Sequence, residues 1–554
     1  MSLRDFAALQ TKHFDIVVVG GGIYGATMAW EAASRGLSVV LFEKQDFGHA
    51  TSANSLKIIH GGIRYLQQLN LNRLRESVRE RRTLLRIAPH LVAPIQCLFP
   101  TQNTLTENRV TVEAAFQLYN CLSWDRNQEI DPVRHIPCAG TMNRKKMREI
   151  LPALEKLDCT GAGYWYDAQA HNTERLVLSF VCSAIAEGAS ALNYAPVKTL
   201  LKEDAKVKGV VVCDGLSNKS YEIQTDAVID CTGPWSKWHS EINDNIAKPI
   251  FAKAVNLVVK KSFFPCALAL KTRPQGTNIS SSRQLFIVPW RGQTLVGTWY
   301  FSAREGAAHM TVTEQELDEC LEQANSVLPG MKVDRGDITA VHAGLLPAEA
   351  ENHTTEPSLK NKAHIVDASK QGGPRGLFLV QGIKFTTARA VAESTINLVC
   401  HRQEKRVKKS ETASLPLYGG KLGQVAPYYQ AKKDHYSDRL GEKTITRLID
   451  NYGTNIDVIL TYIEQDASLG QRVPGTSEVL IAELVFILEH EMLVTLSDLL
   501  LRRIDLGALA MPSQKTIAFC ARFLGKRLHW NEETQLENIN ALIASYRPLH
   551  QSTH

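Results

Sequence analysis

A chain of 554 residues is long enough for two or three domains, and 44% apolar with 22% charged residues is the composition of a folded globular protein. The formal net charge of +6 is mild for this length, so nothing in it calls for nucleic acid, while an anionic substrate or membrane surface is not opposed. The 11 cysteines are scattered without a C-x-x-C pair, which argues for reduced thiols in the cytoplasm and against a disulfide frame or a metal site. No signal-peptide pattern and no run of about 18 apolar residues is present, so any membrane contact is expected to be peripheral.

In chain order, Phe14–Val19 is an apolar, β-branched run of the kind that forms a buried strand. Gly20, Gly22 and Gly25 follow it as G-x-G-x-x-G, with Ile23 and Tyr24 between. Gly20 suits a tight strand-to-helix turn, Gly22 lets a pyrophosphate approach the backbone, and Gly25 lets the helix pack close. Residues 26–34 are helix formers whose N-terminus offers N–H groups and a positive dipole end to that pyrophosphate. Leu37–Phe42 is a second buried strand, closed by Glu43, an acid placed for a ribose hydroxyl and against a 2′-phosphate. Asn70–Ala88 reads as a basic amphipathic helix whose arginines 73, 75, 79, 81, 82 and 86 are expected to form mainly a solvated face.

Residues 101–158 are helical in pattern, ending in a short helix at Met147–Leu157. Asn172–Ala186 is a long helix and Ala191–Leu201 a strand. Val207–Val212 and Ser220–Gln224 form a meander, and Ala227–Cys231 is a buried strand ending in Thr232–Gly233–Pro234–Trp235. This order is that of a flavoprotein, since a simple NAD dehydrogenase lacks the meander. Residues 249–300 are strand-rich and Val312–Val327 is a helix. Ala363–Asp367 and Leu377–Val380 return to the first domain, and Gly382 leads into a helix at Thr386–Cys400. Residues 401–413 are polar and basic, hence a linker. From 425 to 547 the pattern is helical, with Ser477–Thr495 and Pro512–Leu528 amphipathic. Glu489, His490 and Glu491 are consecutive, point in different directions and read as helix-surface residues.

DIVVVGGGIYGA, ATSANSLKIIHGGIRYL, APHL at 88–91, DCTGPW at 230–235, IKFTTAR at 383–389, NYGTNIDVIL at 451–460 and AELVFILEHEMLVTLSDLLLRR at 482–503 together resemble the FAD-dependent glycerol-3-phosphate dehydrogenase and oxidase family, within the D-amino-acid-oxidase-like flavoproteins, over nearly the whole chain. The resemblance implies an α/β FAD-binding Rossmann-like domain of the glutathione-reductase type (14–100, 159–245 and 340–403). It also implies an antiparallel-sheet substrate domain (101–158 and 246–339) and an all-α C-terminal domain (415–554). It implies non-covalent FAD, oxidation of a secondary alcohol to a ketone by hydride transfer to flavin, and quinone or oxygen as acceptor. Peripheral contact with the inner face of the cell membrane and a homodimer are left open.

Carried over residue by residue, the resemblance places Lys44, Thr51, Ser52, Ser55, Val197, Thr232, Gly233, Trp235, Gly382, Phe385 and Thr386 beside the flavin nucleotide. His60, Arg64 and Tyr65 stand in the substrate-facing His-Gly-Gly-x-Arg-Tyr, with Lys384 a further cation. The residue chemistry agrees. Gly61 and Gly62 permit close backbone approach to a ring, Arg64 and Lys384 suit a phosphate or carboxylate, and His60 suits taking an alcohol proton. The substrate side departs from the family. Leu346 stands for an arginine, Asn256 for a histidine, Tyr300 for an acid, and Lys362 for another arginine. Trp299 and Tyr300 are expected to wall the pocket with aromatic surface, so a larger or less anionic alcohol than glycerol 3-phosphate is expected to fit. The competing readings are an amine or 2-hydroxy-acid flavin oxidase and an FAD-bearing scaffold without catalysis.

Overall fold

The computed structural model describes residues 4–154, 157–239, 242, 250–272, 284–303, 310–327, 332–349, 357–504 and 506–546. Parts of the expected strand block at 249–300 and of the helix at Met147–Leu157, and the last residue of the helical tail at 425–547, lie outside these. Within them the chain builds three sheets and a helical C-terminal body.

A six-stranded sheet carries the dinucleotide motif. Its order is His364–Asp367, Leu377–Gln381, Val228–Asp230, Ile16–Val19, Val39–Phe42 and Ser190–Leu192, all parallel except the first. The Ile16–Val19 and Val39–Phe42 strands are buried at every position, as their continuous apolar runs require when both faces are covered. The helix Ile23–Ser34 packs against Thr173–Ala186 and Ala388–Arg402 over this sheet. Gly25 makes that packing tight: a Cβ there would lie 1.7 Å from the Gly20 carbonyl oxygen.

The expected strand Ala191–Leu201 is two strands in two sheets. Ser190–Leu192 belongs to the six-stranded sheet, while Val197–Glu203 joins Lys206–Cys213, Ser220–Thr225 and His13–Phe14 in a separate four-stranded meander. Tyr194 at φ 50° and Pro196, which has no N–H to donate, break the ladder between them.

A nine-stranded sheet faces the cofactor side. It includes Val92–Thr101, Gly161–Ala170 and Ile338–Ala348, so segments grouped with the cofactor domain at 14–100, 159–245 and 340–403 hydrogen-bond into the substrate sheet. The short helix expected at Met147–Leu157 runs instead over Arg144–Ile150, and a 3₁₀ turn follows at Pro152–Leu154.

The C-terminal body packs helices such as Glu442–Tyr452, Ile456–Gln465, Ile481–His490 and Gln514–Leu528 around one apolar core. The Ile481–His490 helix is shorter than the expected Ser477–Thr495. Glu491 is not a surface residue: it is fully buried, bridges to Arg175 at 2.6 Å, and lies 3.9 Å from Arg503. The 401–413 segment is no free linker. Ser410 and Thr412 donate hydroxyls to Glu31, and Arg35 donates to the Lys408 carbonyl at 2.8 Å.

The basic helix Leu71–Ile87 also differs from its expected solvated face. Arg75 and Arg82 grip Asp125, Arg86 pairs with Glu129 and the Ala413 carbonyl, and Arg81 is buried against Asp167. Four of its arginines tie elements together, while Arg79 stays exposed.

Candidate active site

A cavity of about 1520 Å³ runs between the six-stranded and nine-stranded sheets. It exceeds the roughly 300–1,000 Å³ of ordinary small-molecule pockets. Gly20, Gly22, Ile23 and Tyr24 line one end with Glu43, Lys44, Thr51, Ser52 and Ser55. The turn at Gly20 needs φ 101°, and a Cβ would meet the Cys231 carbonyl at 2.7 Å. A loop at 44–57 closes over this turn. Gly48 N–H donates to the Gly21 carbonyl at 2.9 Å, and Ile23 N–H donates to Ser52 Oγ at 3.0 Å. Thr51 Oγ1 accepts from Leu345 N–H at 2.9 Å, and Ser55 Oγ accepts from Lys57 N–H at 3.2 Å. Glu43 accepts from the backbone N–H groups of Gly21 at 2.6 Å and Gln45 at 2.9 Å, so its carboxylate shapes the turn as well as facing the cavity.

Three buried ion pairs fasten this loop. Lys57 donates to Glu174 at 2.9 Å and to the Ala53 carbonyl at 2.6 Å. Asp46 receives Arg502 at 2.6 Å and Arg503 at 2.8 Å, both from the Asp498–Arg503 π-turn of the C-terminal body. Those guanidinium groups hold Asp46 far below the usual carboxylate range despite its burial. Sequence reading gave Asp46, Arg502 and Arg503 no role; only three-dimensional contact joins them.

Val197, Thr232, Gly233 and Trp235 line the cavity beside Lys44, whose ammonium lies 4.6 Å from the Trp235 ring centre. Thr232 is held by Asp230 through its N–H at 2.9 Å and its hydroxyl at 2.5 Å. Opposite, Gly382 permits Tyr24 to pack: a Cβ there would fall 1.8 Å from the tyrosine ring. Tyr24 donates to the Lys384 carbonyl at 2.8 Å and accepts from Ile383 N–H at 3.0 Å, and burial pushes its phenol up to about 12. Phe385 and Thr386 continue this wall, with Thr386 Oγ1 accepting from His60 N–H at 3.2 Å.

Beyond Thr386 the side chains change character. His60, Gly62, Arg64, Tyr65 and Lys384 line one wall. The His60 side chain is about half exposed to the cavity (48%). Lys384 Nζ sits 3.9 Å from the Tyr65 ring centre. Burial, then the adjacent Arg64 cation, lower its pKa to about 8. Neither Arg64 nor the Lys384 ammonium meets a carboxylate among the described residues. Gly61 does not line the cavity. A Cβ there would lie 2.1 Å from Arg81 Nη1 and 2.8 Å from the Tyr119 hydroxyl, so its lack of a side chain admits Arg81 rather than a ring. Gly25 likewise stands behind the cavity, against the turn.

Asn256, Tyr300 and Leu346 line the nine-stranded sheet's cavity face. Register explains this: Ala254 pairs with both Tyr300 and Gly344, and Ala252 with Leu346, so these residues share a face. Asn256 is 1% exposed and fully engaged, donating to the Asn54 carbonyl at 3.1 Å and accepting from Thr298 at 2.7 Å. It braces the wall rather than presenting a free amide. Trp299 lies on the opposite face, donating to Gln323 at 3.0 Å beneath the Glu314–Val327 helix, so Tyr300 alone of the pair walls the cavity. Lys362 is exposed and is not among the lining residues. Among the described residues no group of three or more His, Cys, Asp or Glu side chains is placed to hold a metal.

The long cavity, the G-x-G-x-x-G turn at one end, the free helix N-terminus and the half-exposed histidine at the other suit a dinucleotide carrying a reactive ring. Comparison with known proteins gives the same picture. The model of the FAD dependent oxidoreductase family matches residues 15–398, and that of the C-terminal domain of alpha-glycerophosphate oxidase matches residues 410–535. The chain is 29% identical over 513 residues to the glycerol-3-phosphate dehydrogenase of Synechocystis, covering 90% of each. It is 28% identical over 564 residues to the aerobic glycerol-3-phosphate dehydrogenase of Bacillus subtilis, covering 98% of this chain and 96% of that one. The solved structure of the glycerol-3-phosphate dehydrogenase from Bacillus halodurans complexed with FAD superposes with a TM-score of 0.76 at 25% identity, covering 99% of this chain and 98% of that one.

Proposed function

Since the chain belongs to the FAD dependent oxidoreductase family, we propose that it oxidises the secondary alcohol of a small phosphorylated polyol, of the glycerol 3-phosphate type, to the ketone. FAD supplies the two-electron acceptor for the hydride when bound. Gly20, Gly22, Ile23 and Ser52 suit its pyrophosphate, Glu43 its ribose, Lys44, Val197 and Trp235 its adenine side, and His60, Gly62, Phe385 and Thr386 its ring side.

The observation that carries the substrate reading is the Arg64–Lys384 pair. Two cations stand together in one wall with no carboxylate between them among the described residues, and each raises the cost of the other's charge. A phosphate bound there relieves that repulsion and gains charge-assisted hydrogen bonds. It also fixes the alcohol beside His60, which accepts the hydroxyl proton as hydride departs.

Leu346 and Tyr300 favour a second reading within the same chemistry. They replace polar lining by apolar and aromatic surface, so a bulkier alcohol fits the same wall. The acceptor is a quinone or oxygen, distinguished by quinone reduction against oxygen uptake.

Anaerobic addition of sn-glycerol 3-phosphate should bleach the oxidised flavin far faster than the same concentration of glycerol. If no phosphorylated polyol bleaches it, the reading fails. If a larger alcohol bleaches it better, the second reading replaces the first.

A further inference from the structure

Asp167 lies on the Gly161–Ala170 strand directly behind His60, and its surroundings are built to one end. The carboxylate is 2% exposed. Its Oδ1 accepts from Gly61 N–H at 2.5 Å and from Arg81 Nη1 at 2.9 Å. Its Oδ2 accepts from the Trp165 indole N–H at 3.1 Å. A carboxylate has about four acceptor positions. Three are taken by groups that cannot leave, and the fourth, on Oδ2, faces His60 Nδ1 at 3.6 Å.

Arg81 is itself immobile. It donates to the Tyr166 carbonyl at 2.6 Å, stands beside the Tyr119 hydroxyl, and fills the space that Gly61 leaves. The groups packed around Asp167 are therefore Arg81, Tyr119, the buried Cys97 thiol, Trp165 and His60. The facing His60 imidazole and the Arg81 charge outweigh burial and hold Asp167 down at about 2, so it is an anion throughout the working pH range.

We propose that Asp167 is a positioning residue for the alcohol oxidation, fixing His60 as the tautomer with its proton on Nδ1 so that the Nε2 lone pair faces the cavity. This rests on His60 being the group that takes the alcohol proton. An imidazole left to rotate presents the wrong nitrogen or the wrong angle part of the time; a buried anion with one acceptor position to spare selects one orientation and one tautomer. The same carboxylate holds the Gly61 N–H, so ring and backbone are oriented from a single point. The arrangement uses no residue of the G-x-G-x-x-G motif, and joins two strands and a helix that are distant in sequence.

The test is a double-mutant cycle on the FAD-loaded full chain, with Asp167→Asn, His60→Gln and the double variant assayed on sn-glycerol 3-phosphate. Asp167→Asn should lower kcat on the order of 100-fold with KM nearly unchanged, and should cost little further in the His60→Gln background. An equal loss in both backgrounds overturns the proposal, because a merely structural carboxylate acts with or without His60. Nitrogen-15 NMR of labelled histidine reads the second point without turnover. The signal lost in His60→Gln should be the Nδ1–H tautomer in the wild-type protein, and an Nε2–H tautomer overturns the proposal even if Asp167→Asn cannot be recovered with flavin. A fully active His60→Gln sinks the proton-acceptor role, while the NMR result still decides whether Asp167 sets the tautomer.

Discussion

At the scale of single residues, the site sets charges that meet no counter-ion among the described residues beside charges that are fully paired. Lys384 belongs to the first kind. Its ammonium has an ordinary pKa of 10.5 and is lowered to about 8 by burial and Arg64. The charged form is the one that binds a phosphate, so kcat/KM for a phosphorylated substrate should fall as pH rises above about 8. In Lys384→Met the fall should vanish and the low-pH plateau should drop by roughly tenfold to a hundredfold, the worth of a charge-assisted hydrogen bond. A wild-type profile flat from pH 7 to 10 would contradict this. Leu346 shows the converse: an uncharged side chain on the same sheet face as Tyr300, so if the proposed phosphate binds, the Arg64–Lys384 pair should carry it and Leu346→Ala should leave its affinity nearly unchanged.

At the scale of elements, the cofactor half was legible before any coordinate. Apolar runs bounded by glycines specify buried parallel strands, and Ile16–Val19 and Val39–Phe42 are paired in parallel in the structure. Gly25 illustrates how far such reading reaches. Its role in close packing is confirmed at 1.7 Å, so Gly25→Ala should force the Ile23–Ser34 helix off the sheet and yield protein with little bound flavin, seen as loss of visible absorbance at unchanged expression. The substrate half was less legible, for a physical reason. Which face a strand presents depends on register, and a bulge between Val255 and Asn256 is not written in local composition. Trp299 and Tyr300 part to opposite faces for a simpler reason: successive residues of one strand alternate, so two neighbours cannot both wall the cavity. Asp167 and Arg81 escaped notice because an ion pair spanning 86 positions has no periodicity to betray it. The arginine-rich helix misled in the same way, since Asp125 and Asp167 arrive from elsewhere in the chain.

At the scale of the whole molecule, the junction between the C-terminal body and the rest should be sensitive to acid because it buries two histidines. His90 is buried beside Arg175 and Arg134 and packs under Gly419; His342 is buried and contacts the Ala508 carbonyl at 2.9 Å. Burial pushes both down to about 3, from an ordinary 6.5. The unfolded chain therefore takes up protons that the folded chain refuses. The stability each contributes is fully present above pH 6.5 and is lost as pH falls toward 3, at roughly 1.4 kcal/mol per pH unit for each group. Thermal unfolding should lose midpoint steadily as pH falls from 6.5, and below about 4 the depressed carboxylates such as Asp167 steepen the loss. His342→Phe should make the slope shallower, His49 and His239 being lowered by burial as well, measured by denaturant titration at several pH values; an unchanged slope would show that His342 protonates without unfolding the junction.

The clamp on Asp46 has a consequence for how the protein comes apart. Arg502 and Arg503 reach from the C-terminal body into the loop that also carries Thr51, Ser52 and Ser55, so a cofactor held by that loop should be coupled to the body through it. Such coupling is reciprocal: whatever affinity the tail lends to FAD, FAD returns as grip on the tail. Stripping the flavin and deleting the tail are then two routes to the same loosened loop, and proteases should find their first cut there in either case.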